Sequence, residues 1–96
     1  MKSEKKKVLV IDDHEEILEL VEITLRGSEF EVLKASGGKS GIIIAREQKP
    51  DIILLDIMMP VFDGYMTSKV LKRNLVTKNI PIIFCDSLFF LERLIS

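Results

Sequence analysis

Three aspartates in this 96-residue chain stand where their carboxylates can act together: Asp12 and Asp13 follow the run Val8-Leu9-Val10-Ile11, and Asp56 ends the run Ile52-Ile53-Leu54-Leu55. Short, unbroken aliphatic runs of this kind read as strands buried on both faces. Burying the approach to a carboxylate and then charging its end is costly unless the charge has a partner. If the two strands are neighbours, three acids meet at one end of a sheet, where they repel and raise one another's pKa values unless a cation is shared between them. The cluster therefore predicts a metal. All-oxygen ligands with an open coordination sphere favour a hard ion that keeps waters, which points to Mg²⁺ or Mn²⁺ rather than zinc. Each acid also has a plainer role open to it. Asp13 and Glu16 have the spacing of a capping box at a helix start, Asp12 would serve as a solvated acid at a strand end, and Asp56 as a turn starter before Met59-Pro60.

The elements that must position these acids alternate. Lys7 to Ile11 is a strand, and from His14 to about Arg26 the apolar residues Ile17, Leu18, Val21 and Leu25 recur at helical spacing opposite Glu15, Glu19 and Glu22. Gly27-Ser28 ends that helix, Phe30 to Leu33 is a second strand, and Ser36-Gly37-Gly38 a loop. A second helix runs from about Lys39 to Gln48, closed by Lys49-Pro50, and Asp51 to Asp56 is the clearest buried strand. Met59-Pro60 to Gly64 reads as loop, Tyr65 to about Leu75 as a third helix, and Ile80 to Cys85 as a fourth strand. Such alternation calls for right-handed crossovers and a parallel sheet with helices on both faces, three layers in all. Ligands of open sheets bind outside the carboxyl ends of the strands, which is where the acids lie.

Composition narrows the function. The length fits one domain, and 47% hydrophobic residues suffice to order it. Fourteen basic against fifteen acidic residues, a net charge of -1, remove the positive field that direct nucleic-acid binding needs. Every apolar run is broken by charge well short of a membrane span, and Lys5-Lys6-Lys7 precedes too short an apolar stretch for a signal peptide. A lone cysteine, Cys85, makes no internal disulfide and reads as strand core, so a cytoplasmic location is expected. His14, in the first turn of a helix, reads as a solvated surface residue in preference to a phosphocarrier or a metal ligand.

The stretch Val8 to His14, followed by Pro50 to Gly64 and then Ile80-Pro81-Ile82-Ile83-Phe84, resembles the receiver domain of two-component response regulators. The acid pair, the strand ending on Asp56, Met59-Pro60 and Asp63-Gly64 stand at the family's spacing and in its order, over residues 7–85. The resemblance implies a flavodoxin-like, doubly wound parallel sheet and a non-enzymatic role in phosphorelay signalling. Asp56 matches the phosphoacceptor, served by a sensor histidine kinase or a phosphotransfer protein. Asp12 and Asp13 match the acidic pair that binds Mg²⁺ together with Asp56, and the backbone carbonyl of Met58 matches the remaining protein ligand. Pro60 and Gly64 match loop-shaping positions, although Asp63-Gly64 also reads as a plain turn.

The match fails after Cys85. Asp86 stands where the family has Ser or Thr bonded to the phosphoryl group, with Ser87 one residue further on. The fifth strand with its Lys and the last helix are not recognisable before Ser96, so residues 1–96 read as one receiver-like domain with a divergent tail, 86–96. The apolar run Leu88 to Ile95 needs a cover, and a fourth strand left as an edge invites pairing. A homodimer through that strand and the tail is expected, with the tail folding back on its own strand as the competing arrangement. An interaction module without phosphorylation-driven switching is the alternative. A nucleotide-binding reading of Gly38-Lys39-Ser40 lacks the glycine a phosphate loop requires, that position being Leu33.

Overall fold

The computed structural model describes residues 5–59 and 63–86; the expectations placed on Pro60, Ser87 and the tail Leu88 to Ile95 fall outside them. Seven elements alternate: β1 (Lys6–Ile11), α1 (Glu15–Leu25), β2 (Phe30–Ala35), α2 (Gly38–Gln48), β3 (Ile52–Asp56), α3 (Gly64–Arg73) and β4 (Ile82–Cys85). All strand pairs are parallel, in the order β2-β1-β3-β4. This is the doubly wound sheet the sequence implies, with the chain reversing direction across the sheet between β1 and β3. None of the helices among the described residues is long and apolar enough to cross a membrane.

The aliphatic runs fill two cores at once. Leu9, Ile11, Ile53 and Leu55 point to one face and pack with Ala45 of α2 and Leu71 of α3, while Val10 meets Ile17, Leu18 and Val21 of α1 on the other. Alternate residues of one strand thus serve opposite layers, which is why Val8 to Ile11 of β1 show no polar face. In register, Ile11 lies opposite Leu55, so both central strands end at the same level.

Several boundaries differ from the sequence reading. β2 continues to Ala35, whose carbonyl accepts the Asp12 N–H at 3.1 Å. α1 starts at Glu15, with His14 as N-cap, so Asp13 is not the cap; no side chain caps that helix. α3 stops at Arg73 rather than Leu75, because Asn74 Oδ1 accepts the Val76 N–H at 2.8 Å and the buried Thr77 hydroxyl donates to the Leu71 carbonyl at 2.7 Å. Those bonds tie down a turn that leaves Leu75 exposed and delays β4 until Ile82.

At the head of α3 the Asp63 carboxylate accepts the Met66 N–H at 2.8 Å, so Asp63 is a helix cap as well as part of the loop. Gly64 has a packing role. A Cβ there would lie 2.6 Å from the Asp56 carbonyl oxygen and 2.8 Å from Ile57 Cα, so a side chain would push α3 off the end of β3.

Candidate functional site

The register brings Asp12, Asp13 and Asp56 to one end of the sheet. Because β1 and β3 are adjacent and end together, one donor atom from each of Asp12, Asp13, Asp56 and His14 lies within 4.8 Å of the others. Asp12 and Asp56 are 4% and 2% exposed, whereas Asp13 and His14 stand at the surface. The β3–β4 pairing sets Cys85 opposite Asp56, with Asp86 exposed just beyond it.

Hydrogen bonds divide the buried pair unequally. Asp12 Oδ1 accepts the His14 N–H at 2.9 Å and lies 2.8 Å from His14 Nδ1, which is also 3.2 Å from Asp13 Oδ1. Asp56 Oδ1 accepts the Met58 N–H at 3.1 Å, but Asp56 Oδ2 is buried without a hydrogen-bond partner among the described residues. The Met58 side chain itself points to solvent.

These contacts set the local electrostatics. Burial pushes the Asp56 carboxyl above its ordinary range and the charges of Asp12 and Asp13 push it further, against the Met58 amide and His14, which favour the ionised form. The hydrogen bond to Asp12 is the main reason the His14 imidazole holds its proton more tightly than usual; partial burial opposes this and the charges of Asp13, Asp12 and Asp56 add to it. Burial likewise raises the Cys85 thiol, helped by the charges of Asp56 and Asp12, which makes it a poor nucleophile.

An orphaned carboxylate oxygen among like charges is the arrangement a divalent cation relieves, and the oxygen donors suit a hard one. The sequence reading missed His14, which is only half exposed and bound to two of the three acids. The one signal available was its place two residues after Asp12, the spacing at which an aspartate accepts a backbone N–H and starts a turn.

Residues 8–87 match the family model described as the response regulator receiver domain. The chain belongs to that family. This receiver is 36% identical over 88 residues to the probable transcriptional regulator ycf27 of Porphyra purpurea, across 92% of its own length and 35% of the relative's. The chain therefore spans about a third of that curated relative. Among solved structures it resembles the chemotaxis protein CheY4 of Vibrio cholerae, with a TM-score of 0.79 and 31% identity over 83% of this chain and 67% of that one. It also resembles the receiver domain of the sensor histidine kinase PA1611 of Pseudomonas aeruginosa PAO1, with a TM-score of 0.77 and 26% identity over 83% and 66% of the two chains. That neighbour carries a magnesium ion coordinated in its active-site cleft. The flavodoxin-like fold and the place in two-component phosphorelay signalling follow from this membership.

Proposed function

We propose that Asp56 is the residue on which this receiver accepts a phosphoryl group, from a phosphohistidine on a sensor histidine kinase or phosphotransfer protein in the cytoplasm. The observation that carries the reading is the buried, unpartnered Asp56 Oδ2 beside two further carboxylates. An Asp56 oxygen attacks phosphorus, the bond from phosphorus to the donor imidazole nitrogen breaks, and an acyl phosphate is left on the chain. The buried end of β3 and the Gly64 contact hold that carboxylate in place, so positioning supplies much of the catalysis. Asp12, Asp13, Asp56 and the Met58 carbonyl would hold Mg²⁺, which when bound neutralises charge on the phosphoryl oxygens. Asp86, a carboxylate where the family has a hydroxyl, works against stabilising the phosphorylated state. Incubation with a small acyl phosphate and Mg²⁺ is expected to give a label that hydroxylamine removes; a hydroxylamine-stable label would reject an aspartyl phosphate.

Association is a second part of the reading, over a single domain spanning 1–96. β4 is one of the two edge strands among the described residues, and Ile83 and Phe84 are 48% and 45% exposed on it. A two-fold homodimer through β4 and the tail 86–96 would cover this edge in both copies at once. Light scattering over a concentration series is expected to show a dimer that Leu91→Glu weakens. A monomer at every concentration would reject it.

A further inference from the structure

One group at the carboxyl end of the sheet has no part in the phosphoryl chemistry described above: the imidazole of His14. Its Nδ1 is 2.8 Å from Asp12 Oδ1 and 3.2 Å from Asp13 Oδ1. A ring N–H donated to Asp12 and the charge of Asp13 account for both contacts while the ring keeps its proton. A divalent cation that displaces that proton would meet the nitrogen and both oxygens at the same spacing. With metal–donor bonds of about 2.1 Å, neighbouring ligands of a six-coordinate ion lie about 3.0 Å apart, which is the spacing already present between this nitrogen and the two oxygens. The loop is held in this shape by its own backbone, since the His14 N–H is bonded to Asp12 Oδ1 at 2.9 Å. Asp56, with its unpartnered Oδ2, offers a further donor within 4.8 Å.

We infer that His14 Nδ1 is a ligand of the divalent-metal site, which gives the site a mixed nitrogen and oxygen donor set and a bias towards first-row transition cations such as Ni²⁺. The inference rests on the reading that Asp12, Asp13 and Asp56 form a metal site. Imidazole suits Ni²⁺, Co²⁺ and Zn²⁺, whereas Mg²⁺ prefers oxygen. For Mg²⁺ the ring is therefore no help, and it competes for the same oxygens. A single side chain thus sets which class of metal the receiver takes.

Calorimetric titration of the full chain with Ni²⁺ alone and with Mg²⁺ alone, in the wild type and in His14→Leu, separates the possibilities. The Ni²⁺ dissociation constant is expected to rise at least about tenfold in the variant, the smallest loss seen even for groups that merely support a ligand, while Mg²⁺ binding holds or tightens. Mg²⁺ binding to both proteins with an unchanged ratio of the two constants would overturn the inference and leave the metal reading standing. Failure of the wild type to bind either metal would overturn both. His14 is the only histidine in the chain, so ¹⁵N NMR of the wild type gives a test that needs no substitution. Added Zn²⁺ should shift Nδ1 strongly and Nε2 weakly. An unmoved Nδ1 under conditions where Zn²⁺ binds would overturn the assignment.

Discussion

Asp51 and Asp56 flank the same strand, β3, and the two ends of that strand treat a carboxylate in opposite ways. At the entry, Lys7 and Asp51 exchange two hydrogen bonds: the Lys7 N–H donates to Asp51 Oδ2 at 2.7 Å and the Asp51 N–H to the Lys7 carbonyl at 2.8 Å. Asp51 is exposed, so water solvates its charge while the side chain ties β1 to the start of β3. At the exit Asp56 is buried, faces Asp12 and Asp13, and has one oxygen without a partner among the described residues. One aspartate closes a sheet. The other is buried among like charges, the kind of cost that the phosphoacceptor role proposed for Asp56 accounts for.

The contrast can be broken most strongly at Gly64, which presses α3 against the exit of β3. Gly64→Val should destabilise the fold by about 3 kcal/mol, the upper range for overpacking, as measured by urea unfolding; a loss no larger than that of an exposed helix substitution would mean that the contact with Asp56 is not tight. Asp56→Asn should act in the opposite direction. In chelator it is expected to stabilise the protein by about 1–2 kcal/mol, the scale of an unsatisfied buried polar group, and a lower melting temperature than wild type would show that the charge is already compensated.

Metal should narrow the difference between the two ends of β3. At tenfold excess over its dissociation constant, Mg²⁺ is expected to stabilise the wild type by about 1.4 kcal/mol through mass action. Asp13→Ala should abolish that gain in a thermal melt, and an undiminished gain would place the ion elsewhere. Asp51→Ala should cost about 1 kcal/mol, the net worth of one hydrogen bond, and leave the Mg²⁺ response intact.

The smallest effect belongs to Glu22 and Lys34, an exposed pair 2.8 Å apart that links α1 to β2. The hydrogen bond from Lys34 holds the Glu22 carboxyl below its usual range, and the same bond holds the Lys34 ammonium above its own. The pair therefore contributes across the neutral range. Its contribution is lost as pH falls through the lowered Glu22 value or rises through the raised Lys34 value. Glu22→Gln should lower the melting temperature only slightly at neutral pH, and the difference should vanish in acid and in high salt.

The features legible in the sequence were those governed by unbroken apolar runs. Val8 to Ile11 and Ile52 to Leu55 can be buried on both faces only between helices, which puts both runs inside a sheet; the β1–β3 pairing then makes them neighbours and brings Asp12, Asp13 and Asp56 together. What stayed hidden depended on single side chains choosing among partners. Asp13 and Glu16 have capping-box spacing, yet Asp12 takes the His14 N–H and the helix starts a residue later. Asp51 reads as part of the buried strand, and its bond to Lys7, 44 residues away in sequence, leaves no local pattern. His14 reads as a surface residue because nothing in its own neighbourhood shows that the ring turns back onto two acids.

If Asp56 and Asp51 differ in function because they differ in partners, the covalent mass of the protein after phosphorylation separates them. Wild type, Asp51→Asn and Asp56→Asn are incubated with an acyl phosphate and Mg²⁺, and intact masses are compared. One phosphoryl group is expected on the wild type and on Asp51→Asn, with none on Asp56→Asn. An adduct on Asp56→Asn at wild-type yield would contradict the account.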